Sequence, residues 1–444
     1  MPLPGHDAPT RRVIRRVLTL GTAIACVLWR PSSAEAQRLQ FTKLTADDGL
    51  SGAWVPSIFQ DARGFMWFGT RRGLDRYDGY GITSYRHIRG DSSSLPDGYI
   101  EFIKEDRDSA LWVGTRKGVS RFDRARDSFR NYTVGAGAEG RPVLSMLHTK
   151  DGTLLVGTDD GLYKLDRTTG TSSRYPGGSV QLAGKSMIAL LEDRRGHVWI
   201  ATKEAGLIDL DPRSVTARTY AGAPGAASGF PDVDVRAIVE DGAGILWVGT
   251  YRGGLVRLDP ASGALSKFEH DASNPRSLAI NAIQTLALAG QDGLWVALEN
   301  GGLDRFDIPS GTFRHNAYDP NNPTGLNNNS VWSVFEDRTG TLWAGTFAGG
   351  VNIAKRNSEA IRTYRAVPGD ASSLSVNSVL GFAQDSSGGL WVATDGGGLN
   401  RFDITTGRFV RTTTKTSALN QDAVLAVAAE PGGALWLGTW AGGI

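Results

Sequence analysis

Residues 61–80 read DARGFMWFGTRRGLDRYDGY: an apolar run carrying Trp67, then Gly69-Thr70, a glycine turn, and a second run that ends at Asp78. The same frame returns as DRDSALWVGTRKGVSRFD from Asp106, DGAGILWVGTYRGGLVRLD from Asp241 and DRTGTLWAGTFAGG from Asp337. The tryptophans act as a ruler. Trp67, Trp112, Trp199, Trp247, Trp295, Trp343, Trp391 and Trp436, with Leu155 of LLVGT standing between the second and third, are spaced by 45, 43, 44, 48, 48, 48, 48 and 45 residues. A period of ~40–50 residues that holds several short apolar strands is the mark of propeller blades, since each unit presents faces that only its neighbours can cover.

Four strands fit into one unit. In SLSVNSVLGFAQDSSGGLWVATDGGGLNRFDITTGRFVRT the runs VLGFAQ, LWVAT, LNRFD and FVRT follow one another with a glycine-bearing turn at each joint. Glycine makes up 57 of 444 residues while proline stays at 18, which fits many tight turns better than low complexity. No helical period competes after residue 38.

The third-strand text, GLDRYD in the first unit and GLDRFD in the sixth, loses its closing Asp once, at GVNIAKRNSE in the seventh. The amino end begins in mid-unit, with a fourth-strand segment at Leu39–Leu44 that has no unit of its own. The expected fold is therefore all-β: a seven-bladed β-propeller of four-stranded blades over 38–355, sealed when that segment completes blade seven, so that no strand edge is left open. Residues 356–444 then read as an incomplete second propeller of about two blades. A single ring of eight or nine blades is the rival arrangement, and under either one the sequence reads as part of a longer polypeptide.

Residues 1–36 form an export signal. Arg11, Arg12, Arg15 and Arg16 make a basic head, Val17–Trp29 an apolar run, and Ala34-Glu35-Ala36 a small-residue cleavage site. An uncleaved anchor is the alternative, but the 13-residue run falls short of the ~20 residues a bilayer requires. The one cysteine, Cys26, lies inside this segment, so the mature chain has no thiol chemistry and no disulfide framework. Cleavage also leaves 43 basic against 44 acidic residues, a poor balance for nucleic-acid binding. Localisation is expected to be periplasmic or extracellular.

The frame GLSxxxVxxIxQDxxGFMWFGTxxGLxRYDGY near the amino end, with spacers such as Ser373-Leu374 to Asn377-Ser378-Val379, resembles the two-component regulator propeller repeat, and the likeness runs over 39–444. That resemblance implies the periplasmic sensor region of hybrid and one-piece histidine kinases. The implied partners are an output kinase module, in the same longer polypeptide or reached through a membrane partner, and a small-molecule or oligosaccharide ligand. Kinase activity itself does not carry over to these residues.

Repetition separates scaffold from site. Asp61, Asp106, Asp193, Asp241, Asp337 and Asp385 each open a strand-turn-strand joint, DxxG in all but Asp106, where Ser109 takes the glycine's place, and side-chain bonds to the following amides explain all of them without a calcium loop. The histidines His87, His148, His197, His270 and His315 show no pair at metal spacing; no cofactor, metal site or catalytic set is expected. What does vary is the pair of residues after the GT of each second strand. Arg71, Arg72, Arg116, Lys117, Lys203, Tyr251, Arg252, Glu299, Asn300 and Phe347 would all lie on one rim around the axis. Guanidinium and ammonium groups beside aromatic faces suit a carboxylated or sulfated sugar. The plain alternative is a solvated rim with no ligand. The leading functional reading is a non-catalytic, exported ligand-sensing module; a propeller enzyme of lyase or glycosidase type and a protein-docking scaffold are the other two.

Overall fold

The computed structural model describes residues 39–135, 140–176, 180–222, 229–355, 364–404, 406–430 and 432–444. The leader with Cys26, and the start of the segment opening at Ile361, lie outside the described residues. Within them the chain is built from repeated antiparallel sheets, eight of four strands and one of two. In chain order the sheets span 57–85, 100–132, 143–174, 187–220, 235–268, 283–316, 331–354, 379–412 and 424–439. The unit around Val379 is observed as Val379–Gln384, Leu390–Thr394, Gly398–Asp403 and Arg408–Thr412, matching the four runs read from sequence. One 3-10 turn, Ala46–Asp48, is capped by Thr45 and Asp48.

The seventh sheet takes its fourth strand from the amino end. Thr42–Leu44 runs antiparallel to Val351–Ala354, with Thr42 opposite Ile353 and Leu44 opposite Val351. Gly350 shows how closely this pairing follows the repeat. In the second sheet Gly118 holds φ at 106°, and a Cβ there would lie 2.4 Å from the Tyr132 carbonyl oxygen. Gly350 holds φ at 71°, and its Cβ would lie 2.2 Å from the carbonyl oxygen of Leu44. Only glycine accepts that backbone with a strand so close.

In the first seven sheets each second strand is wholly buried, as in Leu111–Thr115, because it lies in mid-sheet with apolar neighbours on both faces. The tryptophans of these strands fill the spaces between sheets. Trp67 packs with Ile100, Leu111 and Val113 of the next sheet, and Trp247 with Ile283, Leu294 and Phe306. The same layer lies between the seventh sheet and the first, where Trp343, Val351 and Ile353 meet Val55, Ile58, Met66 and Phe68.

Polar contacts repeat between sheets as well. The amide after the capping residue is received by the end of the next first strand: Ala62 N–H by Glu105 at 2.9 Å, Lys150 N–H by Glu192 at 2.6 Å, Arg194 N–H by Glu240 at 3.3 Å. Arg338 of the seventh sheet donates in the same way to Gln60 of the first, at 3.1 Å. Likewise Ser145 Oγ donates to the Met187 carbonyl and Ser333 Oγ to the Val55 carbonyl, both at 2.7 Å.

Six of the second-strand tryptophans are clamped by the Asp that stands six positions earlier. The indoles of Trp67, Trp112, Trp199, Trp247, Trp343 and Trp391 donate to Asp61, Asp106, Asp193, Asp241, Asp337 and Asp385 at 2.8–2.9 Å. The other carboxylate oxygen caps the turn, as Asp241 does for the amides of Ala243 and Ile245. Where Leu155 replaces the tryptophan, Thr149 replaces the Asp, and Trp295, which has no such Asp, turns its indole to Glu336 at 3.0 Å. In the ninth sheet Trp436 is 59% exposed, against 0–7% for the six second-strand tryptophans of the first seven sheets.

Candidate ligand-binding rim

The turns between second and third strands are held rigidly at both ends. The Thr that closes the second strand donates its hydroxyl to the glycine carbonyl across the turn, as in Thr115 to Gly118 at 3.0 Å and Thr250 to Gly254 at 2.8 Å. The amide of the next residue then bonds back to the residue before the first strand: Lys203 to Ser186, Tyr251 to Asp234, Glu299 to Ala282 and Phe347 to Ser330. Side chains on such turns are presented by a fixed backbone.

Beside these tips lies a second ring of residues. From the second sheet to the seventh, the first strand carries a register shift that leaves one extra residue: Glu101, Leu144, Ile188, Arg236, Gln284 and Trp332. A bulge re-aims the extra side chain away from the ladder. Here it brings that side chain to the tip of its own sheet. Glu101 reaches Arg116 at 3.5 Å, Arg236 lies 4.7 Å from the ring of Tyr251, Gln284 donates to Glu299 at 2.6 Å, and Trp332 lies 6.5 Å from Phe347.

The ten rim residues fall into separate groups. Arg71, Arg116 and Phe347 converge on aromatic residues that precede first strands. The Arg71 guanidinium lies 3.1 Å above the Trp54 ring and 5.1 Å from Tyr99, and that of Arg116 lies 3.9 Å from Tyr99. Phe347, 47% exposed, tilts against Trp54 at 4.7 Å, and Trp332 meets Trp54 edge-on at the same distance.

Tyr251 and Glu299 form another group, in which the phenol donates to Glu299 and that bond, ahead of burial, pushes the phenol's pKa upward. Its cationic neighbour Arg236 is fixed by two bonds to Asp234, at 2.5 and 2.9 Å. Arg252 is likewise committed, its amide and guanidinium both bonding the wholly buried Asp232 at 2.7 and 3.2 Å. Asn300, in a left-handed conformation with φ 63°, shares Ser330 with Phe347. Arg72, Lys117 and Lys203 lie exposed on their own turns, away from both groups. Arg252, the fifth-sheet cation expected to meet a ligand, is thus occupied by an internal carboxylate, as is its neighbour Arg236.

Glu101 is the acid closest to the aromatic group. Burial raises its pKa, and Arg116 opposes that shift. No cluster of three or more His, Cys, Asp or Glu side chains able to hold a metal occurs among the described residues. His315 sits within the fourth strand Thr312–Asn316 and bonds the buried Asp304 at 2.7 Å. Among the described residues no helix is long and apolar enough to cross a membrane.

Sequence reasoning passed over Trp54, Tyr99, Glu101, Arg236 and Trp332. The signal was present, since VWSVFE, VRAIVE and IEFIKE place apolar residues at first and fourth positions, a break in strict alternation that a bulge produces.

Five segments, 49–72, 181–204, 229–252, 325–348 and 373–396, match the family described as two component regulator propeller. Histidine kinase P4 of Formosa agariphila is 40% identical over 62 residues, which make up 14% of this chain and 4% of the kinase. Over 91% of its length the chain superposes on the extracellular domain assigned to the hybrid two component system BT3049 of B. thetaiotaomicron, with 26% identity and a TM-score of 0.72. It spans 53% of that domain. A virginiamycin B lyase of Staphylococcus aureus, 14% identical with a TM-score of 0.54 over 72% of this chain, shares the fold alone. By its repeats and its fold, the chain is a propeller-type sensory region related to the extracellular domains of two-component regulatory systems.

Proposed function

We propose that this chain is the ligand-sensing region of an exported two-component receptor, with a signal peptide at 1–36, a closed seven-bladed ring over 38–355 and the start of a second propeller over 356–444. The ring reading is supported by contacts between the seventh and first sheets of the same kind as those between consecutive sheets. The second-propeller reading is supported by apolar side chains left exposed on the eighth and ninth sheets, Phe382 on the one and Leu425 and Trp436 on the other, which further sheets would cover. An oligosaccharide bearing anionic groups is the ligand, and a histidine kinase module is the output, reached through a change in the population of ring arrangements.

The observation that carries the ligand assignment is a contrast within a repeat. Caps, clamps and glycine turns recur from sheet to sheet, whereas the pair of residues at the rim tip differs in every one and the bulge residue changes from each sheet to the next over the second to seventh, and cations and aromatic rings gather near the first, second and seventh. Charge-assisted bonds to carboxylate or sulfate and a ring face against Trp54 or Phe347 would recognise such a sugar. Calorimetric titration with a panel of neutral, carboxylated and sulfated oligosaccharides tests the assignment. Binding of at least one anionic member, weakened when Arg71, Arg72 and Arg116 are changed to Ala, supports it; undiminished affinity in that variant removes the rim from the account. Unchanged glycans after prolonged incubation separate a sensor from an enzyme.

A further inference from the structure

Trp54, Trp332 and Phe347 form a compact aromatic surface, with Tyr99 at its edge 6.1 Å from Trp54. Its members come from two ends of the sequence. Trp54 precedes the first sheet, while Trp332 and Phe347 belong to the seventh, so the surface exists only at the seam between them. The corresponding positions elsewhere carry Pro142, Ser186, Asp234 and Ala282 before the first strand, and Leu144, Ile188, Arg236 and Gln284 at the bulge. Nothing in the repeat demands this cluster.

Two further features mark it as more than packing. The indole N–H groups of both Trp54 and Trp332 are buried without an acceptor, two of four such side-chain atoms among the described residues. An unmet buried donor is costly, and cores built for stability avoid it. The outer face of Trp54 is also not bare, because the guanidinium of Arg71 lies flat-on at 3.1 Å, held from an exposed turn. A cation over an indole is a stable arrangement, yet an exposed Arg gives it up readily.

We infer that Trp54, Trp332 and Phe347 are a stacking subsite for a ring-shaped ligand unit, and that Arg71 caps it in the free protein and sets its specificity. A ring that enters must displace the guanidinium from the indole. A neutral ring gains only the stacking surface. A ring bearing a carboxylate also recovers the displaced Arg71 as an ion-pair partner, with Arg116 close by on the same Tyr99. The cap therefore discriminates against uncharged rings and in favour of anionic ones. This inference rests on the reading of the rim as a ligand site, and locates its centre.

Two probes of equal length separate the contributions: a trimer of galacturonic acid and the matching neutral trimer of galactose, titrated against the whole chain by tryptophan fluorescence and calorimetry. Changing Arg71→Ala is expected to tighten the neutral trimer by roughly threefold to thirtyfold and to weaken the acidic one by about tenfold or more. Phe347→Ala, at a half-exposed position that leaves the fold intact, weakens both, as does Trp54→Phe for the acidic trimer. Independently of any ligand, Arg71→Ala increases the fraction of tryptophan emission quenched by acrylamide. If the acidic trimer binds equally well to wild type, Trp54→Phe and Phe347→Ala, the subsite is refuted while the sensing reading stands. If neither trimer binds wild type or Arg71→Ala, the subsite is overturned, and the sensing reading falls with it only if the sulfated oligosaccharides of the panel also fail to bind.

Discussion

Changing Asp241→Ala isolates the clamp that builds this fold. The carboxylate accepts the Trp247 indole at 2.8 Å and the amides of Ala243 and Ile245 at 2.9 and 3.0 Å. Ala243 is exposed, so water replaces much of what the turn amides lose. Trp247 is 1% exposed, and its indole would be left without an acceptor. A stranded buried donor costs ~1–3 kcal/mol, and with the weakened turn the total comes to about 3 kcal/mol. Trp247→Leu alone removes packing worth about 2 kcal/mol. The third sheet shows how the pair is replaced together, with Thr149 and Leu155 in these two places and Leu155 fully buried. The double change Asp241→Thr with Trp247→Leu should therefore cost ~1–2 kcal/mol less than the sum of the two single changes. Urea titration followed by far-UV circular dichroism measures wild type, Asp241→Ala, Asp241→Thr, Trp247→Leu and the double variant. Strict additivity, or an Asp241→Ala midpoint within error of wild type, would refute the coupling of clamp and indole.

Other residues give sharper signs. Burial pushes the Lys104 ammonium down to about 8, with the Met146 carbonyl at 2.8 Å as its hydrogen-bond partner. Because the folded chain holds that proton less tightly than the unfolded chain, the penalty is full below pH 8 and fades as pH rises from about 8 toward 10.5. Lys104→Met should raise the urea midpoint at pH 7, by about 1–3 kcal/mol in stability, and remove this alkaline dependence. The pKa of Glu101 is raised, so stability falls as pH climbs from its ordinary 4.5 through the raised value. Glu101→Gln should abolish that slope and free Arg116, tightening an acidic trisaccharide in calorimetry at neutral pH. His315→Ala strands the buried Asp304 carboxylate and is expected to cost about 3 kcal/mol in the same urea assay.

Much of the scaffold was legible because it is periodic. One tryptophan every 43–48 residues, a glycine turn on each side and an Asp six positions earlier are local signals, and repetition multiplies them. The clamp itself was half legible: the Asp residues read as turn caps, and their second bond to the indole appears only once strand and turn are folded together. The candidate site was harder to read for a different reason. Trp54 and Trp332 lie 278 positions apart and meet only across a seam, and Arg252 reads as a rim cation until buried Asp232 is found beside it. Sequence order places the tips on one rim; it does not say which are paired off internally and which remain for a ligand.

The seam between the first and seventh sheets underlies both the proposed ring and the proposed subsite. A cysteine pair at Thr42 and Ile353, directly opposite in the register, tests it in a Cys26→Ser background. Opposed positions on antiparallel strands stand ~4.5–5.5 Å apart, within the span of a disulfide. Mild oxidation followed by peptide mapping should recover one disulfide joining the two positions within a single chain. Free thiols, or links found only between different chains, would contradict the closure and remove the surface on which Trp54 meets Trp332.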